Sequence, residues 1–150
     1  MNGWDGKQSA PHLLSVKQRQ LTLYRVQIRG SMVTMDVYHI WFNLKEGISD
    51  IEFAERASIY LNHLKSMGAV AGYRITRRKL GLGPPQLPQW HITIDFENMA
   101  QMDSAFSRVA SRTDPLESFH HAVNSQVRDI FFALYRDFPD PGRVKGQEKF

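Results

Sequence analysis

Two segments of this chain alternate polar and apolar residues so regularly that each can bury only one side. Along Val37-Tyr38-His39-Ile40-Trp41-Phe42-Asn43-Leu44, strand geometry sets Tyr38, Ile40, Phe42 and Leu44 on one face and His39, Trp41 and Asn43 on the other. Along Trp90-His91-Ile92-Thr93-Ile94-Asp95-Phe96, the tryptophan, isoleucines and phenylalanine face one way, and His91, Thr93 and Asp95 the other. The first set on each strand makes an ordinary apolar core. The second set is too aromatic for bulk water and too polar for a dry interior, which suggests a pocket.

The rest of the chain supplies what a sheet of this kind needs. Ser49 followed three residues later by Glu52 is a capping-box pattern, and Phe53, Ala57, Tyr60, Leu61, Leu64 and Met67 then recur at helical spacing until Gly68. A second strand is expected over residues 70–79. The run Gly81-Leu82-Gly83-Pro84-Pro85-Gln86-Leu87-Pro88 breaks regular structure and predicts a stiff protruding loop. A second helix starts at Asn98, with Met99, Met102, Ala105, Phe106 and Val109 as its stripe. Asp114-Pro115-Leu116-Glu117 predicts a short third helix with Asp114 as cap and Glu117 reaching back. A fourth strand follows over residues 127–135. The order strand, helix, strand, strand, helix, strand gives an α+β, ferredoxin-like βαββαβ fold. Its four-stranded antiparallel sheet carries its helices on one face, with strands one and three as central neighbours.

Charge and composition narrow the partners. Residues 1–34 hold five Lys/Arg against one Asp, whereas residues 35–138 hold 11 basic and 12 acidic residues. The expected organisation is a flexible basic N-terminal extension over 1–34, one folded domain over 35–138 and a flexible tail over 139–150. A near-neutral body gives no general attraction to nucleic acid, and no nucleic-acid partner is expected. The chain has no cysteine, so disulfides and thiolate metal sites are excluded, and a cytoplasmic setting is expected. No apolar run approaches a membrane span, and no secretory signal opens the chain.

Extending the alternation adds Arg74 and Thr76 from strand two, and Phe131, Ala133 and Tyr135 from strand four, to the helix-free face. Trp41, Phe131 and Tyr135 together form an aromatic patch large for a soluble monomer. A second copy can cover it through one self-complementary surface, so a homodimer formed sheet to sheet is expected.

Residues 35–44, residues 77–85 and Phe132-Ala133-Leu134-Tyr135-Arg136-Asp137-Phe138-Pro139-Asp140 resemble an uncharacterised bacterial domain family over about residues 35–140. That family is in turn similar to the dimeric α/β-barrel superfamily, which includes cofactor-independent monooxygenases, haem-degrading monooxygenases, lactone isomerases and plain ligand binders. The resemblance implies a dimeric α/β barrel. It carries no catalytic motif, and fold does not fix function.

The candidate site lies on the open face. His39 and His91, on adjacent strands, are the candidate acid–base pair, since imidazole titrates near neutrality. Trp41, Asn43, Arg74, Thr93, Asp95 and Tyr135 are the candidate ligand-binding residues. The blander reading is that these groups satisfy one another across strands at an interface. Neither a metal nor a cofactor is expected: strand spacing is not a ligand motif. Trp41, His39 and Asn43 share residue types, but no motif, with haem-degrading proteins. The basic run Arg74, Arg77, Arg78 and Lys79 could hold an anion or could simply protect an edge strand. Gly81-Leu82-Gly83 lacks the lysine of a phosphate-binding loop. His63, His120 and His121 are expected to be structural. Three functions remain: a small-molecule binder with its cavity on the open face, a small cofactor-independent oxygenase or isomerase using His39 and His91, or an interaction domain without small-molecule chemistry.

Overall fold

The structure, a computed structural model, describes residues 34–139, 143 and 145–147. Apart from Thr34, the expected basic extension lies outside these residues, as does most of the tail. Among the described residues the order is β1 (Asp36–Leu44), α1 (Asp50–Ser66), β2 (Gly72–Arg77), β3 (Trp90–Phe96), α2 (Met99–Ala110), α3 (Leu116–Asn124) and β4 (Val127–Arg136). The strands form one antiparallel sheet in the order β2-β3-β1-β4. The α+β ferredoxin-like arrangement is therefore present, with β1 and β3 at the centre. No helix among the described residues is long and apolar enough to cross a membrane.

Local chemistry sets the helix ends. Ser49 Oγ accepts from Glu52 N at the start of α1, and Asn98 Oδ1 accepts from Gln101 N at 2.9 Å at the start of α2. The Gln101 side chain returns to Glu97 N at 2.8 Å and also donates to Gly68 O at 3.0 Å, tying the two helices together. The start of α3 differs from expectation. Pro115 itself is the cap residue, with φ −83 and ψ −1, and no side chain caps it directly. The turn begins one residue later than the sequence suggests, so Asp114 serves from outside, accepting from both the backbone and the hydroxyl of Ser118. Glu117 makes no return bond.

The helices cover one face of the sheet. Phe42, Ile92, Ile94 and Phe96 from the strands meet Phe53, Ala57, Leu61 and Leu64 of α1 and Met102 and Ala105 of α2. Phe42, Phe53 and Phe96 are fully buried. β2 is shorter at both ends than expected: Ala69 and Val70 reach the core before the strand starts, and the chain turns at Leu80 and Gly81, both at positive φ. On β4 the alternation is broken by a register shift opposite Trp41 and Asn43, with Asp129 at φ +53. The extra residue lets Val127 and Ile130, three apart, both reach the apolar side. Beyond this bulge Phe132 faces the helices and Phe131 and Tyr135 the open side, as expected.

Candidate functional site

Pairing of the central strands sets the site. Trp41 lies directly opposite His91 across the β1–β3 ladder, and His39 opposite Thr93. Three flat rings therefore stand side by side on the helix-free face. The Trp41 and His91 rings stack at 4.6 Å with planes 5° apart, and those of His91 and His39 at 5.1 Å and 12°. Tyr135, from β4, meets His39 edge-on at 4.8 Å. Within this stack His39 Nδ1 and His91 Nε2 are 3.0 Å apart and share one hydrogen bond.

That distance dictates the protonation chemistry. One of the two nitrogens donates and the other accepts, so the rings adopt complementary tautomers. If both nitrogens carried protons, two N–H groups would face each other. Burial within the stack pushes the His91 pKa below its ordinary value, and the charge on His39 adds to the effect. The pair thus shares a proton and resists double charging. Chemically it can accept a proton, return one, or orient a polar group laid over the stack.

The other expected site residues divide. Arg74 and Thr93 face each other across the β2–β3 ladder, on the same side as the histidines. Thr76 ties β2 to the strand below His91, its Oγ1 donating to the His91 carbonyl at 3.0 Å. Asp95 shares the face but stands two side-chain steps from His91. Its Oδ2 occupies the space over Gly72, 3.0 Å from where a Cβ would sit, and it makes no contact with the imidazole pair. Asn43 is not in the cluster. Its Nδ2 donates to Asp129 Oδ2 at 3.1 Å and its Oδ1 accepts from Gln89 N at 3.0 Å, so it fastens three segments at the end of the sheet.

Two members of the basic run, Arg77 and Arg78, are likewise occupied. Arg77 pairs with Asp50 and lies over the Trp90 ring, with its guanidinium 5.8 Å from the ring centroid. Arg78 Nη1 donates to Pro84 O at 3.1 Å and Leu87 O at 3.2 Å, clamping the Gly/Pro loop. Among the described residues no three His, Asp or Glu side chains converge as a metal-ligand set.

Outside the sequence-based expectations stands a second feature. A cavity of about 460 Å³ lies under the helices, on the side of the sheet opposite the imidazole pair. Ile40 and Ile92 floor it, and Ala57, Leu61, Ala105 and Val109 roof it. Tyr60, His120 and Asn124 bring the polar groups. The sequence signal for these three was faint: Tyr60 reads as helix stripe, and only the four-residue spacing of His120 and Asn124 marks a shared helix face.

A model of a family of unknown function, DUF6614, matches residues 35–150. The chain belongs to that family. No curated protein matches it. Among solved structures, SnoaB, a cofactor-independent oxygenase from Streptomyces nogalater, is similar with a TM-score of 0.54 at 6% identity, over 73% of this chain and 98% of that one. Hydroxynitrile lyase from Passiflora edulis gives 0.54 at 13% identity, over 71% and 95%. A dimeric ferredoxin-like protein of unknown function from Jannaschia sp. gives 0.50 at 10% identity, over 67% and 97%. At these identities the likeness shows the ferredoxin-like fold alone.

Proposed function

We propose that the protein is a small-molecule-binding homodimer of the dimeric α/β-barrel type, whose copies meet through the helix-free faces of their sheets. The observation that carries this reading is the hydrogen-bonded His39–His91 pair held in an aromatic stack on a face that no helix covers. Phe131 and Tyr135, more than half exposed on the same face, call for a cover. A second copy brings the same patch and encloses the imidazoles, and proteins of this fold include dimers. Trp41, Thr93, Arg74, Asp95 and Tyr135 then surround the bound molecule, with the histidines as its hydrogen-bonding centre. The reading places the protein in the cytoplasm, on the lack of cysteine.

A second reading is proton-transfer catalysis at the same pair, as a small cofactor-independent oxygenase or isomerase. The depressed His91 pKa favours it, since a neutral imidazole is available as a base near pH 7. The test combines sedimentation with a thermal-shift screen of small molecules on the wild type, His39→Ala and His91→Ala. Binding requires a dimer and a ligand whose stabilisation of about 3 kcal/mol at a hundredfold excess over Kd falls in both variants. Turnover lost while affinity persists assigns catalysis. A monomer at working concentration removes the enclosed site and both readings with it.

A further inference from the structure

The volume under the helices has a clear physical origin. Where α1 and α2 cross the sheet they present Ala57 and Ala105, both fully buried, in place of larger side chains. Two methyl groups cannot fill the space between a helix and a pleated surface, and about 460 Å³ remains. That lies within the usual range of ligand pockets, roughly 300–1,000 Å³. Ordered water needs two to four polar partners, and a wall of Ile40, Ile92, Leu61 and Val109 offers none. Phe106 and Phe132, partly exposed, stand at its rim beside Tyr38.

One corner departs from this apolar lining. The Tyr60 ring lies 5.8 Å from that of His120, and Asn124 stands one turn further along α3, on the same face as His120. Among the described residues the phenol of Tyr60, the imidazole of His120 and the amide of Asn124 have no protein hydrogen-bond partner; the first two are half-buried and Asn124 is exposed at the cavity mouth. Polar groups left open at the edge of an apolar chamber are the arrangement that orients a bound molecule. We infer that this chamber is a binding site, separate from the open-face pair, for an uncharged, largely aromatic or hydrocarbon molecule whose single carbonyl or hydroxyl group meets Tyr60, His120 and Asn124.

The electrostatics select the head group. Burial, and next the carboxylate of Glu117, push the Tyr60 pKa up to about 12, so the phenol stays an O–H donor. The burial, and next the Glu117 charge, that oppose a phenolate there also oppose a carboxylate on a ligand. A neutral acceptor fits the donor, and an anion does not.

The test uses the full-length protein and Prodan, an uncharged naphthyl ketone whose emission shifts to the blue in apolar surroundings. Saturable, blue-shifted binding of a single dye per protomer is expected. Tyr60→Phe keeps the ring and its packing and loses only the donor; it weakens binding about 5- to 10-fold, the worth of one hydrogen bond. Ala105→Phe fills the chamber and abolishes binding, and His39→Ala leaves it unchanged. Naphthoate, the anionic counterpart, binds at least tenfold more weakly than Prodan. Absence of saturable binding to the wild type overturns the inference, as does unchanged affinity in Tyr60→Phe or naphthoate binding as tight as Prodan. Loss of the dye in His39→Ala places it on the open face and overturns this site while leaving the open-face reading standing.

Discussion

Replacing His91 by Gln tests the imidazole pair most directly. The amide keeps a polar nitrogen or oxygen within reach of His39 Nδ1, now 3.0 Å from His91 Nε2, but cannot titrate. It also loses two ring contacts, to Trp41 at 4.6 Å and to His39 at 5.1 Å. Such pairs contribute about 0.5–1.5 kcal/mol each; the rings are half-buried, so the low end applies to both. The variant is therefore less stable than the wild type by about 1–2 kcal/mol at pH 8. The pH dependence carries the sharper information. The folded-state pKa of His91 lies below its ordinary value, so the unfolded chain binds the proton first as pH falls. Wild-type stability from this group is complete above about pH 6.5, declines as pH drops through that value toward the lower folded pKa, and then levels off. Gln pays nothing in that window, so the gap between wild type and variant narrows from pH 8 to pH 5. Its slope stays below the roughly 1.4 kcal/mol per pH unit set by one linked proton, because partial exposure screens the site. Urea denaturation at several pH values reads the gap. A gap that stays constant shows that His91 titrates alike folded and unfolded. One that widens in acid shows that folding stabilises its charge, and either result refutes the desolvated stack.

Three further outcomes are expected. Phe53→Ala, at a fully buried position between Phe42 and Trp90, lowers unfolding free energy by about 3–5 kcal/mol; a loss below about 1 kcal/mol would show that the core collapses freely around it. Arg78→Ala removes the clamp on Pro84 O and Leu87 O and speeds amide exchange across residues 80–88, with global stability falling by about 1–2 kcal/mol at most; unchanged exchange would mean the prolines alone hold the loop. Phe131→Asp places a carboxylate in the exposed aromatic patch and turns the proposed sheet-to-sheet dimer into a monomer by sedimentation; a dimer that survives would remove this face from the interface.

The fold and the imidazole pair were legible because both rest on a period of two. Alternation along β1 and β3 needs no knowledge of distant contacts, and once those strands are neighbours His39 and His91 must share a face. What stayed hidden depends on the third dimension. Asn43 has the right parity for the site, yet Asp129 captures it, and Asp129 is in place only because β4 bulges there. Arg77 and Arg78 read as a basic cluster in sequence; a carboxylate 27 residues away and two loop carbonyls occupy them. The cavity under the helices was least visible of all. It arises from missing volume at Ala57 and Ala105, and alanine in an apolar stripe looks like any other core residue until the opposite wall is known.

The same contacts explain why the two faces of the sheet do not exchange. A slip of one residue in the β1 register would turn His39 and Trp41 under the helices and expose Tyr38, Ile40 and Phe42. Burial of each of those apolar side chains is worth about 1.5–3 kcal/mol, which resists the slip but does not choose where the pairing begins. Polar pairs at both ends of the strand do. At one end the buried Asp36 carboxylate accepts from Arg136 Nε at 2.6 Å and Nη2 at 3.1 Å, across the first pair of the β1–β4 ladder. At the other end Asn43 joins Asp129 and the backbone of Gln89. Neither grip survives a shift of 3.3 Å, the rise of one strand residue. Asn43 thus belongs to the site at one remove: it fixes the alignment that brings His39 within hydrogen-bonding distance of His91 on one side of the sheet and leaves Tyr38 at the rim of the cavity on the other.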